Sequence, residues 1–298
     1  MKNGFITYLV AKNRRTKLKW RVPSTMLAGI ALLFPFQGFS RADENHKARE
    51  FTDCSTPINT AGRYFLLKDL KQCSGISITV SDVELELRGH TIQGSPGNAL
   101  GLIDANGVTT GLSNIEIDGP GTLAGGSIGI SFQNVHRSRV SNVVVTGNIL
   151  GIVVTGTIVG PGNTLRTMVK AADLRSMKTM AGTASTGNEF RDNVVAGQLA
   201  LGVTVFDSNQ NRFIHNNLSG NGGEGLILIN GSNNTVRHNT VDSNVSIGID
   251  VDATGSGNIF DDNVALGNST DLVDENGDCT HNTWTDNIFN SNSPVCID

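Results

Sequence analysis

Asn188-Glu189-Phe190-Arg191-Asp192-Asn193 returns as Asn211-Arg212-Phe213-Ile214-His215-Asn216 and as Asn234-Thr235-Val236-Arg237-His238-Asn239. Two further copies follow, Asn258-Ile259-Phe260-Asp261-Asp262-Asn263 and Asn282-Thr283-Trp284-Thr285-Asp286-Asn287. The steps between them are 23, 23, 24 and 24 residues. A second signature keeps pace: Gly202-Val203-Thr204-Val205, Gly225-Leu226-Ile227-Leu228 and Gly248-Ile249-Asp250-Val251. Weaker turns extend upstream through Asn163-Thr164-Leu165, Ser138-Arg139-Val140 and Thr110-Gly111-Leu112, and Val83-Glu84-Leu85-Glu86-Leu87 alternates in the same way. Short period-2 strands joined by Gly/Asn turns cannot bury an apolar face one repeat at a time. Stacking solves this, each strand pairing in parallel with its equivalent one turn later. The spacing predicts an all-β solenoid of about nine to ten coils, roughly 45 Å long at ~4.8 Å per coil. Phe190, Phe213, Val236, Phe260 and Trp284 form its inward row. Asn193, Asn216, Asn239, Asn263 and Asn287 form an amide ladder that satisfies turn backbone.

Composition agrees. Of 298 residues, 31 are Asn, and 20 of these fall between Asn188 and Asn292. Asn favours turns over helix interiors, so a helical bundle and a helix-rich dinucleotide fold are excluded. An apolar fraction of 38% suffices for a core and argues against wholesale disorder. The net charge of −4 hides an asymmetry: residues 1–42 hold eight Lys/Arg and no acid, leaving the remainder with 15 basic and 27 acidic groups, a net of −12. So acidic a body is a poor general binder of nucleic acid.

The basic stretch 12–21, the apolar run 26–36 and Ser40-Arg41-Ala42 form the three parts of a secretory signal, cleaved after residue 42. Eleven apolar residues are too few to span a bilayer, which takes ~20, and no later segment is apolar enough. A secreted or periplasmic monomer with no transmembrane segment after cleavage is expected. The chain then divides into a signal (1–42), an N-terminal cap (43–75) and the solenoid with its C-terminal closure (76–298). All four cysteines lie in the exported part, and an even count there suggests disulfides. Cys54–Cys73 and Cys279–Cys296 are the expected pairs, because each sits at one end of the mature chain.

These residues resemble the right-handed parallel β-helix proteins of the pectin-lyase-like superfamily, nearest to the NosD-like group with its PbH1 repeat, over roughly residues 75–290. The resemblance implies a single-stranded right-handed parallel β-helix. It also implies an extended acidic polysaccharide, bound along an exposed sheet face, as the partner. Two outward rows then line that face: Arg166, Arg191, Ile214, Arg237, Asp261 beside Asp192, His215, His238, Asp262, Asp286. In register, His215 and His238 stand one coil apart. Uronate β-elimination needs a cation against the sugar carboxylate and a base for the C5 proton. Arginine suits the first role and histidine the second. His215, His238, Arg191 and Arg237 are therefore the candidate catalytic set, with Arg166, Lys170, Lys178, Asp192 and Asp262 as substrate-binding candidates.

Other features point elsewhere. Asp250 and Asp252 share one strand face with Asp207 nearby, so a Ca²⁺ site or an acid/base pair is an open alternative. The Asn-Thr-Asp, Gly-His-Gly and Arg-Ile-Lys motifs of pectin-cleaving glycosidases are absent, and the sole mature tyrosine, Tyr64, lies in the expected cap. The stretch 168–180 breaks the repeat with helix formers, positive charge and a Met177/Met180 pair. By resemblance to NosD, that pair opens a metal-handling alternative. A non-catalytic envelope scaffold is the third class.

Overall fold

The computed structural model describes residues 48–95, 101–156 and 184–297. The expected signal, together with Arg166, Lys170, Lys178, Met177 and Met180, lies outside the described residues. Every regular element among the described residues is a strand, and the strands pair in parallel. One inward column runs the length of the solenoid through nine coils: Tyr64, Leu85, Ile117, Val140, Phe190, Phe213, Val236, Phe260 and Trp284. Facing it from a second sheet are Ile76, Ile103, Ile130, Ile152, Val203, Leu226, Ile249 and Leu272. A short third face carries Val194–Ala196 and its equivalents. The side chains of the two facing columns, and Val195 on the third face, are buried, and ring stacking at 5.0 Å (Phe190–Phe213) and 4.0 Å (Phe260–Trp284) continues the first column. Aromatic pairs in such offset stacks add about 0.5–1.5 kcal/mol beyond area burial.

The upstream register differs from the expected one. Val140 pairs directly with Phe190, so this step is 50 residues long, and the turn expected at Leu165 lies outside the described residues. The place opposite Arg191, assigned above to Arg166, belongs to Ser141. Further upstream the column position is Ile117, while Leu112 pairs with Val135 in a small separate ladder.

The corners obey one local rule. The chain turns at a residue of positive φ, and the next residue points inward as a rung. At the first corner Gly187, Gln210, Asn233 and Gly257 precede Asn188, Asn211, Asn234 and Asn258. At the second, Asp192, His215, His238, Asp262 and Asp286 precede Asn193, Asn216, Asn239, Asn263 and Asn287. At the third, Gly147, Gly197, Gly220, Ser243 and Gly267 precede Asn148, Gln198, Asn221, Asn244 and Asn268. Three amide ladders result, where one row was expected. In the second, Asn193, Asn216, Asn239 and Asn263 each donate through Nδ2 to the Oδ1 of the next coil's Asn at 3.0 Å. The other amide hydrogen goes to a strand carbonyl, as from Asn216 to Phe190 at 2.9 Å. All three ladders donate toward the C-terminal end. The first closes on Asp274, which accepts from Asn282 and Trp284, and the third on Asp271, which accepts from Asn268, Asn290 and Ser291. An acceptor-only carboxylate is the group a chain of donors needs at its end.

The expected disulfides are both formed, Cys54–Cys73 near one end and Cys279–Cys296 at the other. Stacking starts earlier than residue 76, because Arg49–Phe51 already pairs with Tyr64–Leu66. The outward-facing ends of the strands on the first sheet, and the second corner beside them, are left on the surface.

Candidate functional site

The second corner brings the two histidines together. Their rings stack with centroids 4.9 Å apart and 21° between planes. Both residues sit in the left-handed region, at φ 57° for His215 and 56° for His238. His238 Nδ1 lies 3.0 Å from Asp262 Oδ2 in the following coil. A carboxylate only accepts, so Nδ1 carries the hydrogen, and in the neutral ring the lone pair is then on Nε2. Asp192 flanks His215 on the other side of the stripe and Asp286 follows Asp262, each at the same corner position. His238 and Asp262 are exposed, so the stripe meets solvent.

Beside it runs the row Ser141, Arg191, Ile214, Arg237, Asp261. The two arginines face outward, but each already has an acidic partner. Arg191 Nε meets Glu189 at 3.0 Å, and Arg212 approaches the same carboxylate at 3.2 Å. Arg237 Nε donates to Asp261 at 2.7 Å, which holds the Asp261 carboxyl below its ordinary range. Such surface pairs are worth about 0–1 kcal/mol, so a ligand carboxylate can compete for either arginine. Glu189 and Asp261 were not singled out from sequence. The signal was present in Glu189-Phe190-Arg191, since residues i and i+2 share a strand face.

The acidic trio is placed differently. Asp250 faces outward from the second sheet, in register between Ile227 and Val273, and is fully buried. Asp252 turns its carboxylate onto a loop, accepting from the Thr254 and Gly255 amides, the Thr254 hydroxyl and the Asn230 amide. Asp207 is hydrogen-bonded by Asn230, and burial, with the Asp252 charge adding to it, pushes its carboxyl upward. No group of three His, Cys, Asp or Glu side chains gathers as a metal-ligand set among the described residues. His136 is partly buried: it is held between Thr186 and Asn134, and burial lowers its basicity. Tyr64 is part of the inward column, its hydroxyl bonded to the Thr60 carbonyl.

Comparison with curated proteins gives no match. Among solved structures, the chain is similar to a mutant of the periplasmic alginate epimerase AlgG, at 14% identity and a TM-score of 0.46 over 78% of this chain and 51% of that one. It is also similar to the A-modules of two mannuronan C-5 epimerases from Azotobacter vinelandii. AlgE6 gives 14% identity and TM-score 0.40 over 78% and 63% of the two chains, and AlgE4 gives 13% and 0.45 over 82% and 79%. The chain thus spans about half the length of the first of these and under two thirds of the second. Residues 167–298 match the family described as right handed beta helix region. That match covers five of the nine coils described above, and the remaining four continue the same inward column without a break. The chain is a right-handed parallel β-helix protein.

Proposed function

We propose that the protein is an exported carbohydrate-active β-helix that takes an acidic polysaccharide along the second-corner stripe and cleaves it by β-elimination. The observation that carries this reading is the absence of glycine from that corner in the five coils from Asp192 to Asp286. Where the third corner uses Gly147, Gly197, Gly220 and Gly267, the second uses Asp192, His215, His238, Asp262 and Asp286 in the same backbone state. A residue with a Cβ is disfavoured in the left-handed region by about 1–2 kcal/mol, least so for Asn, Asp and His. The chain accepts that cost in five successive coils at one corner and, at its neighbour, only at Ser243. Side chains bearing acid, base and hydrogen-bonding groups are what it gains. His215 and His238 are then the proton-transfer groups, Arg191 and Arg237 exchange their surface partners for sugar carboxylates, and Asp192 and Asp262 border the bound chain. Arg166, Lys170 and Lys178 are added here as substrate contacts on charge alone. Two disulfides fit an extracellular or periplasmic setting, where they persist.

A second reading, a non-catalytic rod, is favoured by the three corner ladders, which need no ligand to account for them. Mass spectrometry of products from a panel of uronic-acid polysaccharides, with and without Ca²⁺, separates the two. Fragments lighter by one water than hydrolysis products support the lyase. Water-added fragments would move the chemistry to Asp207, Asp250 and Asp252, and no shortened product would leave the rod or an epimerase, which changes no mass.

A further inference from the structure

The order Asp192, His215, His238, Asp262 is nearly symmetric as sequence, yet the structure makes its two halves unequal. Only His238 is hydrogen-bonded to its flanking carboxylate, 3.0 Å from Asp262. That bond places a hydrogen on Nδ1 of His238, so that in the neutral ring Nε2 is the proton acceptor. On its other side His238 has the His215 ring, stacked 4.9 Å away at 21°. His215 therefore has a second imidazole as its C-terminal neighbour where His238 has an anion. Both rings project from the same corner of adjacent coils, so they reach a ligand lying along the stripe from one side only.

We infer that this pair is an acid and a base built for syn elimination, with His238 as base, His215 as acid and Asp262 as the residue that positions His238. The inference rests on the lyase reading given above and adds its stereochemistry. His238 Nε2 takes the proton from C5 of a uronate. The C5–H electron pair becomes the C4=C5 double bond, and the C4–O4 bond breaks with its electrons going to O4. Protonated His215 supplies the hydrogen that O4 needs to leave. Each turnover ends with His238 protonated and His215 neutral, and exchange with water restores both. Acid and base on one side can serve a sugar only if its C5–H and C4–O4 bonds lie on the same face of the ring. D-Mannuronate and D-glucuronate meet that requirement, whereas D-galacturonate and L-guluronate place the two bonds on opposite faces. The substrate class that follows is a uronan of the manno or gluco configuration.

The test compares the full chain on polymannuronate and polyglucuronate with polyguluronate and polygalacturonate, following the unsaturated product. The expected result is turnover of one or both of the first two, at least about 100-fold faster than either of the others, the low end of what positioned acid–base groups contribute. Turnover confined to the galacto or gulo polymers would overturn this inference and leave the lyase reading standing. No unsaturated product from any polymer would overturn both. A uronate carrying a nitrophenyl ether at O4 separates the two roles, because its leaving group needs no proton. His215→Ala should lose activity on the polymer and keep it on the ether, and His238→Ala should lose both. The reverse pattern would overturn the assignment. For Asp262, ring-nitrogen NMR of His238 should show hydrogen on Nδ1 in the wild type and a mixture of tautomers in Asp262→Asn. An unchanged spectrum would remove its positioning role.

Discussion

Asn216 shows how much one buried side chain does. Its Oδ1 accepts from the backbone amide and Nδ2 of Asn193, and its own Nδ2 serves the Phe190 carbonyl and Asn239. Asn216→Ala strands several of these groups in a sealed interior, each at about 1–3 kcal/mol. A loss of about 3 kcal/mol or more is expected in denaturant unfolding. The adjacent Asn217 faces solvent, and Asn217→Ala should stay within about 1 kcal/mol. Equal losses at the two positions would mean that the ladder is not the source of stability. Asp271 offers a pH test. Burial would raise its carboxyl, but the donations from Asn290, Asn268 and Ser291 outweigh this and hold it below the ordinary carboxylate range. A carboxyl lowered in the folded state contributes stability that is complete above its unfolded value and lost as pH falls through the folded one. Acid titration of stability should therefore steepen below about pH 4, and Asp271→Asn should flatten that limb.

At the scale of the coil, the corner rule separates backbone need from side-chain need. Asp192→Gly removes a Cβ from φ 56° and should leave stability unchanged or raise it by up to about 1 kcal/mol, the relief at φ offset by unfolded-chain entropy. Phe213→Ala, in the inward column, should cost about 3–5 kcal/mol. Thermal unfolding of both variants checks the contrast, and a destabilised Asp192→Gly would show that the stripe is structural. The same comparison explains what could be read from sequence. The inward column and the second ladder were legible from Phe190 to Asn287 because every coil there is 23 or 24 residues and each rung repeats the same letter. The third ladder follows the second by a constant five residues, from Asn193 to Gln198 and from Asn216 to Asn221, but Gln198 in place of Asn hid the pattern. Upstream, the 32-residue step from Leu85 to Ile117 and the 50-residue step to Phe190 defeat any fixed period. The left-handed φ shared by Gly197 and His215 cannot be seen in letters as different as these. A stripe of acids and histidines therefore read as surface chemistry without its backbone cost.

For the whole molecule, the solenoid leaves its ends as the weak points, since a stack of coils otherwise repeats one interface. The two disulfides lie where unzipping would begin. Reduction should lower the unfolding midpoint and widen the transition, with each bridge of this loop size worth about 3 kcal/mol. Calorimetry with and without reductant reports it, and an unchanged midpoint would show that the ladders and their terminal carboxylates suffice. The central claim is that the second-corner histidines do chemistry on a uronan. Its most direct measurement is the formation of unsaturated product by the wild type and by His215→Ala/His238→Ala, with circular dichroism confirming that both are folded. The account predicts product from the wild type and none from the folded double variant. Equal turnover by the two proteins would contradict it.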